Sequence, residues 1–115
     1  MPFRRSESAL PLTPIAFEIL LALSEEDRHG YAILAAVEQR VKGRLPLRTG
    51  TLYRALARLV EDGFIEEIEG ASTGDSRRRV YRMSKRGRAV ARAETERLAD
   101  QVAAARSRKL LPGRS

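Results

Sequence analysis

The sequence predicts a mainly α-helical fold with one small β-hairpin, and three observations support this prediction. Apolar residues recur at helical spacing in three segments between residues 13 and 63. The stretches 64–69 and 77–83 flank a loop of small polar residues and are typical of two short strands. From Ser84 the chain is rich in Ala, Arg and Glu and has no proline before Pro112, which predicts one long helix.

The first two predicted helices are recognised by their ends. Thr13 followed by Pro14 is typical of an N-cap and a first helical residue, and the apolar segment behind them reaches about Ser24. Polar residues 25–28 then interrupt the pattern. A second helix follows, in which apolar residues recur every three to four positions towards Lys42 and Gly43.

The third predicted helix has two different faces. It follows a short extended piece, begins at Thr49 and Gly50, and ends near Asp62. At about 100° per residue its large apolar positions fall within one sector. The members of that sector are Leu52, Ala55, Leu56 and Leu59. The outer face is left with small, basic and aromatic residues.

The positive charge of the chain is concentrated in one segment. The 115 residues carry a net charge of +7, and residues 71–92, with eight basic side chains and one acidic one, account for all of it. Such a segment favours a polyanionic partner such as nucleic acid. A solvated, arginine-rich surface is the alternative interpretation.

The composition argues against several other classes of protein. With no cysteine and a single histidine, His29, the usual metal sites, thiol nucleophiles and catalytic triads are excluded, so we expect no metal, no cofactor and no enzymatic activity. The mass of 12.9 kDa suits one domain. No apolar run is long enough for a membrane span or a secretory signal, so we expect a cytoplasmic protein without a membrane partner.

The order of the predicted elements indicates a winged helix-turn-helix module over residues 12–83, since three helices are followed by a hairpin. In such modules the helix before the hairpin enters the major groove, which is about 12 Å wide, and the hairpin, or wing, lies against flanking backbone. We therefore expect double-stranded DNA as the partner. The predicted DNA-binding residues are Tyr31, Arg48, Thr49, Thr51, Tyr53, Arg54, Arg58, Arg77, Arg78 and Arg79.

These residues are expected to play different parts. Arg54 is the predicted base reader, because a guanidinium group can bridge O6 and N7 of guanine. Tyr31, Thr51 and Tyr53 are expected to contact phosphates through their hydroxyls. Both tyrosines also suit packing between helices with the hydroxyl at the rim.

Two further residues have a structural interpretation beside the functional one. Arg58 suits an ion pair with Asp62, four residues later, as well as it suits DNA. His29 precedes a glycine at the start of a helix, and this position favours a structural turn residue over a proton sensor or a phosphate contact.

The predicted C-terminal helix, residues 84–110, is too long for the rest of the fold. Roughly 25 residues make a helix of about 38 Å, whereas a three-helix unit with a hairpin is about 25 to 30 Å across. Its narrow apolar stripe favours a partner helix in a homodimer over a helix that is simply solvated. The predicted dimerisation residues are Phe17, Val90, Ala91, Leu98, Val102 and Ala105.

The two ends of the chain lie outside these predicted elements. Residues 1–11 are predicted to form a mobile arm and residues 111–115 a tail.

The predicted elements contain an ordered set of short motifs. Leu12-Thr13-Pro14 opens the first helix, His29-Gly30-Tyr31-Ala32-Ile33 the second, and Gly50-Thr51-Leu52-Tyr53 lies in the third, followed by Leu56, Arg58, Leu59, Gly63, Ile65, Arg79, Tyr81, Ser84 and Gly87. This set resembles the PadR family of transcriptional regulators. The resemblance implies a homodimeric, usually repressing DNA-binding protein, with the third helix as recognition helix and the hairpin as wing. The position of the chain end is similar to the small subfamily, in which a single C-terminal helix completes the dimer.

The sequence departs from some members of that family in its aromatic residues. Members that sandwich flat drugs use a tryptophan of the C-terminal helix, whereas this chain has no tryptophan and no aromatic residue after Tyr81. The alternatives to a DNA-binding regulator are a winged-helix adaptor for other proteins and a ligand sensor with little DNA reading. The sequence identifies no small-molecule effector.

Overall fold

The computed structural model describes residues 9–68 and 79–112. The elements are α1 (Pro14–Glu25), β1 (Arg28–His29), α2 (Gly30–Val41), α3 (Thr49–Glu61), β2 (Ile65–Ile68), β3 (Val80–Met83) and α4 (Lys85–Ser107). The mainly helical fold and the element order of a winged helix-turn-helix are confirmed.

Helix α1 begins as predicted. The Thr13 side chain accepts a hydrogen bond from the backbone N–H of Ala16 at 3.1 Å, and Pro14 occupies the first turn, where its missing N–H is not needed. Buried residues Ile19, Leu20 and Leu23 place α1 in the centre of the core.

Helix α2 lies against α1 and ends in a left-handed turn. Lys42 has φ of 48° and Gly43 has φ of 82°, which gives the chain the sharp C-terminal exit that the glycine predicts. The Arg40 guanidinium donates to both Glu18 carboxylate oxygens at 2.7 and 2.8 Å and joins the outer sides of the two helices.

The β structure is a three-stranded sheet and not only a hairpin. The antiparallel order is β1-β3-β2, with Arg28 opposite Tyr81 in one pair and Glu67 opposite Tyr81 in the other. The prediction missed β1 because two residues within a polar segment are too few to show an alternating pattern. The predicted strands 64–69 and 77–83 correspond to β2 and β3, and positions 69–78 of those predictions lie outside the described residues.

The core extends from the helices into the sheet. Phe64, Ile65 and Tyr81 are buried with the apolar faces of α1, α2 and α3. Ala9 and Leu10 also pack against this core, which corrects the predicted arm at its last residues. The rest of that predicted arm, residues 1–8, lies outside the described part of the chain.

Helix α4 is fixed to the base of the sheet at its first turn. The Ser84 hydroxyl caps the helix as predicted, accepting from the Gly87 backbone N–H at 3.0 Å, and it donates to the Gly63 carbonyl at 2.6 Å. A Cβ on Gly87 would stand 1.9 Å from the Phe64 carbonyl oxygen. Only glycine therefore allows α4 to approach the start of β2 this closely.

The remainder of α4 extends away from the core. Its 23 residues end at Ser107, before the predicted limit, and the chain turns back through Lys109, whose φ is 63°. The buried residues of α4 all lie in its first ten positions, the last being Glu94. At about 1.5 Å per residue its 23 residues make a helix of about 35 Å, so the long helix of the prediction is present.

Candidate nucleic-acid interface

The two faces of α3 are as different as the sequence predicts. Leu52, Leu56 and Leu59 are buried, and Ala55 is half-buried beside them. On the opposite side Arg54 is exposed, and its Nη1 lies 3.5 Å from the point where a Cβ on Gly50 would stand. The guanidinium group therefore turns back over the first turn of the helix.

Further polar residues surround the exposed start of α3. Arg48 and Thr49 are exposed and Thr51 is half-buried. Tyr31, in the first turn of α2, has 51% of its surface exposed. Their side chains contribute hydroxyl and guanidinium donors, which suit the phosphate backbone of a nucleic acid.

Tyr53 occupies a different place from the predicted one. Its hydroxyl oxygen is buried, and a Cβ on Gly30 would stand only 2.6 Å from it. The ring thus fills the contact between α3 and the start of α2. This placement corrects the expected phosphate contact in favour of the packing interpretation, because a phosphate has no access to the hydroxyl here.

Arg58 forms the ion pair that was the alternative to DNA binding. Its Nε lies 3.4 Å from an Asp62 carboxylate oxygen, and 74% of the Arg58 side chain stays exposed. Exposed pairs at this helical spacing contribute only about 0.3–0.5 kcal/mol, so the pair does not prevent a contact with another anion.

The described part of the wing carries paired charges. Arg79 donates from Nη1 to Glu67 at 2.8 Å, and the Arg82 guanidinium lies 3.4 Å from Glu66. The prediction included Arg79 but neither glutamate. Arg77 and Arg78, also predicted, lie outside the described residues.

Tyr81 connects the wing with the helices. It is only 5% exposed, and burial, followed by the Glu67 carboxylate, raises the pKa of its hydroxyl above the ordinary value, while Arg79 acts in the opposite direction. Tyr53 adds a smaller upward effect on the same pKa. The ion pair of Glu67 and Arg79 is therefore close to the tyrosine pair between wing and α3.

The predicted dimerisation residues separate into two groups. Val90 is fully buried in the core of its own chain, and Ala91 packs against that core, so Val90 is corrected to a core residue. Val102 is 43% exposed. The other members, Phe17, Leu98 and Ala105, are half-buried.

Glu94 is a buried carboxylate that the sequence did not single out. It is 2% exposed, and Arg97 donates to its two oxygens at 2.7 and 2.9 Å. These hydrogen bonds lower the pKa of Glu94, against the effect of burial, and the backbone N–H of Leu12 contributes to the lowering. The three-residue spacing of Glu94 and Arg97 could have indicated an ion pair, but such spacings are common on exposed helices and do not indicate burial.

In residues 9–68 and 79–112 no group of three or more His, Cys, Asp or Glu side chains could hold a metal ion. No helix within these same ranges is long and apolar enough to cross a membrane.

Comparison with known proteins gives a family match and structural neighbours. The model of the "Transcriptional regulator PadR-like family" matches residues 19–93. A transcriptional regulator from Clostridium thermocellum is 30% identical, with a TM-score of 0.64 over 76% of this chain and 84% of that one. PadR from Bacillus subtilis, solved in complex with operator DNA, is 18% identical and similar in fold, with a TM-score of 0.61 over 76% of this chain and 48% of that chain.

A curated relative is known from Lysinibacillus sphaericus. This uncharacterized protein is 31% identical over 71 residues, which are 62% of this chain. The chain matches 65% of the length of that relative.

Proposed function

Because this chain belongs to the PadR-like family of transcriptional regulators, we propose that it is a homodimer that binds a palindromic operator in double-stranded DNA and represses transcription there. The observation that supports this function most is the exposed face of α3, where a basic side chain and small polar residues stand opposite a fully buried leucine face. The Bacillus subtilis neighbour of the same fold was solved with operator DNA.

In this proposal α3 lies in the major groove. Arg54 donates to O6 and N7 of a guanine, a contact worth ~1–3 kcal/mol of discrimination between bases. Arg48, Thr49, Thr51 and Tyr31 contact phosphates on either side and fix the position of the helix. Tyr53 positions α3 against α2 from behind through its contact with Gly30.

The wing adds contacts next to those of α3. Arg79 is exposed immediately before β3, and 54% of its side chain is accessible. Together with Arg77 and Arg78 it would approach the flanking backbone, where the contacts are electrostatic and independent of sequence.

The second half of α4 provides the surface for the second copy. Leu98, Val102 and Ala105 form its stripe at helical spacing, and Leu110 beyond it is 75% exposed. Pairing two such helices would present two copies of α3 to successive turns of one DNA face, about 34–36 Å apart.

Selection of bound duplexes from a random pool tests the proposal, with Arg54→Ala as the variant. Arg106→Ala is the matched control, because it removes the same charge from an exposed position near the end of α4. We expect the wild type and the control to enrich the same sequence. Arg54→Ala should lose about 5- to 150-fold in affinity for each half-site that the dimer contacts and lose the preference at one base pair of each half-site.

Two results would contradict this function. If the wild type enriched no sequence at 150 mM salt, operator binding would be wrong, and an adaptor role would be the better explanation. If Arg54→Ala kept the full base preference, DNA reading would have to be assigned to other residues.

A further inference from the structure

The wing holds an acidic side chain on the same surface as the arginine expected at DNA. Glu67 stands directly opposite Tyr81 in the register of β2 and β3. Side chains two positions apart in a strand lie on one face, so Arg79 shares the face of Tyr81. The Arg79 Nη1 to Glu67 Oε2 distance of 2.8 Å confirms that both charges are on that face.

This face of the sheet is turned towards the contact between α2 and α3. Tyr81 on the same face is buried, and its hydroxyl is influenced electrostatically by both Glu67 and Tyr53. Tyr53 belongs to α3 and touches the start of α2 at Gly30. The ion pair thus borders the surface formed by α3, the start of α2 and the wing.

A second ion pair of the same composition lies on the opposite face of the sheet. Glu66 is opposite Arg82 in the register. Glu66 is one position from Glu67 and Arg82 is one position from Tyr81, so this pair lies on the other face. The distance is longer, 3.4 Å, and both side chains are about half exposed, at 53% and 51%. The wing therefore offers two glutamates that differ mainly in the face on which they lie.

We propose that Glu67 competes with DNA phosphate for Arg79 and thereby lowers the sequence-independent part of the affinity for DNA. This inference rests on the proposed DNA-binding function. An acidic residue of the proposed interface would then weaken the binding of DNA, although the wing as a whole is basic.

The physical basis is that one guanidinium group serves two anions. Arg79 can remain paired with Glu67. The charge of Arg79 is then already compensated, so its approach releases few counterions from DNA. Arg79 can instead turn to a phosphate, and then its ion pair with Glu67 has to be broken. Both arrangements weaken binding, and neither depends on the base sequence.

The test uses Glu67→Gln with Glu66→Gln as the matched control. Both variants remove one negative charge, keep the side-chain shape and leave the chain with the same net charge. Affinity is measured for a random-sequence duplex and for the duplex obtained by selection, over a series of salt concentrations. Thermal melting of each variant checks that the fold is retained.

For each protomer at the DNA, we expect Glu67→Gln to bind the random duplex about two- to fivefold more tightly than Glu66→Gln, the ratio corresponding to one exposed ion pair. Its plot of log affinity against log salt should also be steeper by roughly 0.9 per protomer, as for one more phosphate neutralised. In an Arg79→Ala background the same substitution should give no gain beyond that of Glu66→Gln, because the group for which Glu67 competes is gone.

The possible results separate the two proposals. A wild type that binds no duplex overturns DNA binding and, with it, this inference. A wild type that binds its selected duplex, with equal gains from both Gln variants, overturns only the inference, since bulk charge then explains the effect. If the extra affinity of Glu67→Gln over Glu66→Gln persists in the Arg79→Ala background, the inference is also overturned. Direct repulsion between Glu67 and DNA would then be sufficient to explain that gain.

Discussion

The two halves of α4 differ in how far their own chain covers them, although one line of residues at helical spacing runs along both. In the first half Gly87, Val90 and Glu94 are buried by α1 and the sheet of the same chain. In the second half Leu98 is half-buried and Val102 is 43% exposed. One helix can therefore pack into the core along its first half and leave the same side partly exposed along its second half, and helical spacing does not mark the change.

The largest effect is expected at Gly87, where the first half of α4 meets the sheet. Gly87→Ala places a methyl group 1.9 Å from the Phe64 carbonyl oxygen, so backbone has to move. We expect a loss of about 3–5 kcal/mol in the free energy of unfolding, or failure to fold, measured by chemical denaturation.

Gly50→Ala is the control for that substitution. Its Cβ would meet only the Arg54 side chain, at 3.5 Å, in an exposed helix turn. Alanine should there increase stability by roughly 0.5–1 kcal/mol, because it is the better helix former. A stable Gly87→Ala protein would show that α4 does not need its close approach to β2.

A pair of valine substitutions compares the two halves directly. Val90→Ala removes methyl groups from a fully buried site and should cost about 1–3 kcal/mol in unfolding free energy. Val102→Ala removes the same atoms from an exposed site and should change the unfolding free energy of the single chain by less than about 0.5 kcal/mol. It should instead weaken self-association, as followed by sedimentation against concentration.

Equal effects of the two valine substitutions on unfolding of the monomer would contradict the distinction between the halves. Unchanged self-association of Val102→Ala would contradict the proposed dimer surface. Measurement at low protein concentration separates the two effects, because dimerisation itself stabilises the folded state.

A smaller effect is expected from the pH dependence of stability at Glu94, the last buried residue of the first half. Its pKa in the folded protein is lowered, chiefly by hydrogen bonds from Arg97. The stabilisation is therefore fully present above the pKa of the unfolded chain and is lost as the pH falls through the lower pKa of the folded state. Glu94→Gln should flatten this acidic decline of the melting temperature, and an unchanged decline would contradict the assignment.

Features fixed by local chemistry were predicted from the sequence. Thr13 and Ser84 act as N-caps because the hydroxyl of an extended residue just before a helix accepts from the backbone N–H three residues later. The leucine face of α3 follows from helical spacing alone.

Features fixed by contacts between distant elements were not predictable in this way. The strand β1 exists only because β3 pairs with it, and the burial of the Tyr53 hydroxyl depends on the approach of Gly30. Glu67 was missed because a glutamate in a strand looks like a solvated residue until Arg79, twelve positions later, is placed beside it. The register between strands is tertiary information.

The most direct test of the central claim, two copies joined through α4 that read one duplex, is the effect of half-site spacing on binding. The selected duplex is compared with one carrying about five extra base pairs, half a helical turn, between the half-sites, and with one carrying them outside. We expect two chains per duplex by sedimentation, loss of tight binding for the internal insertion and no loss for the external one. Equal binding of all three duplexes by a single chain would contradict it.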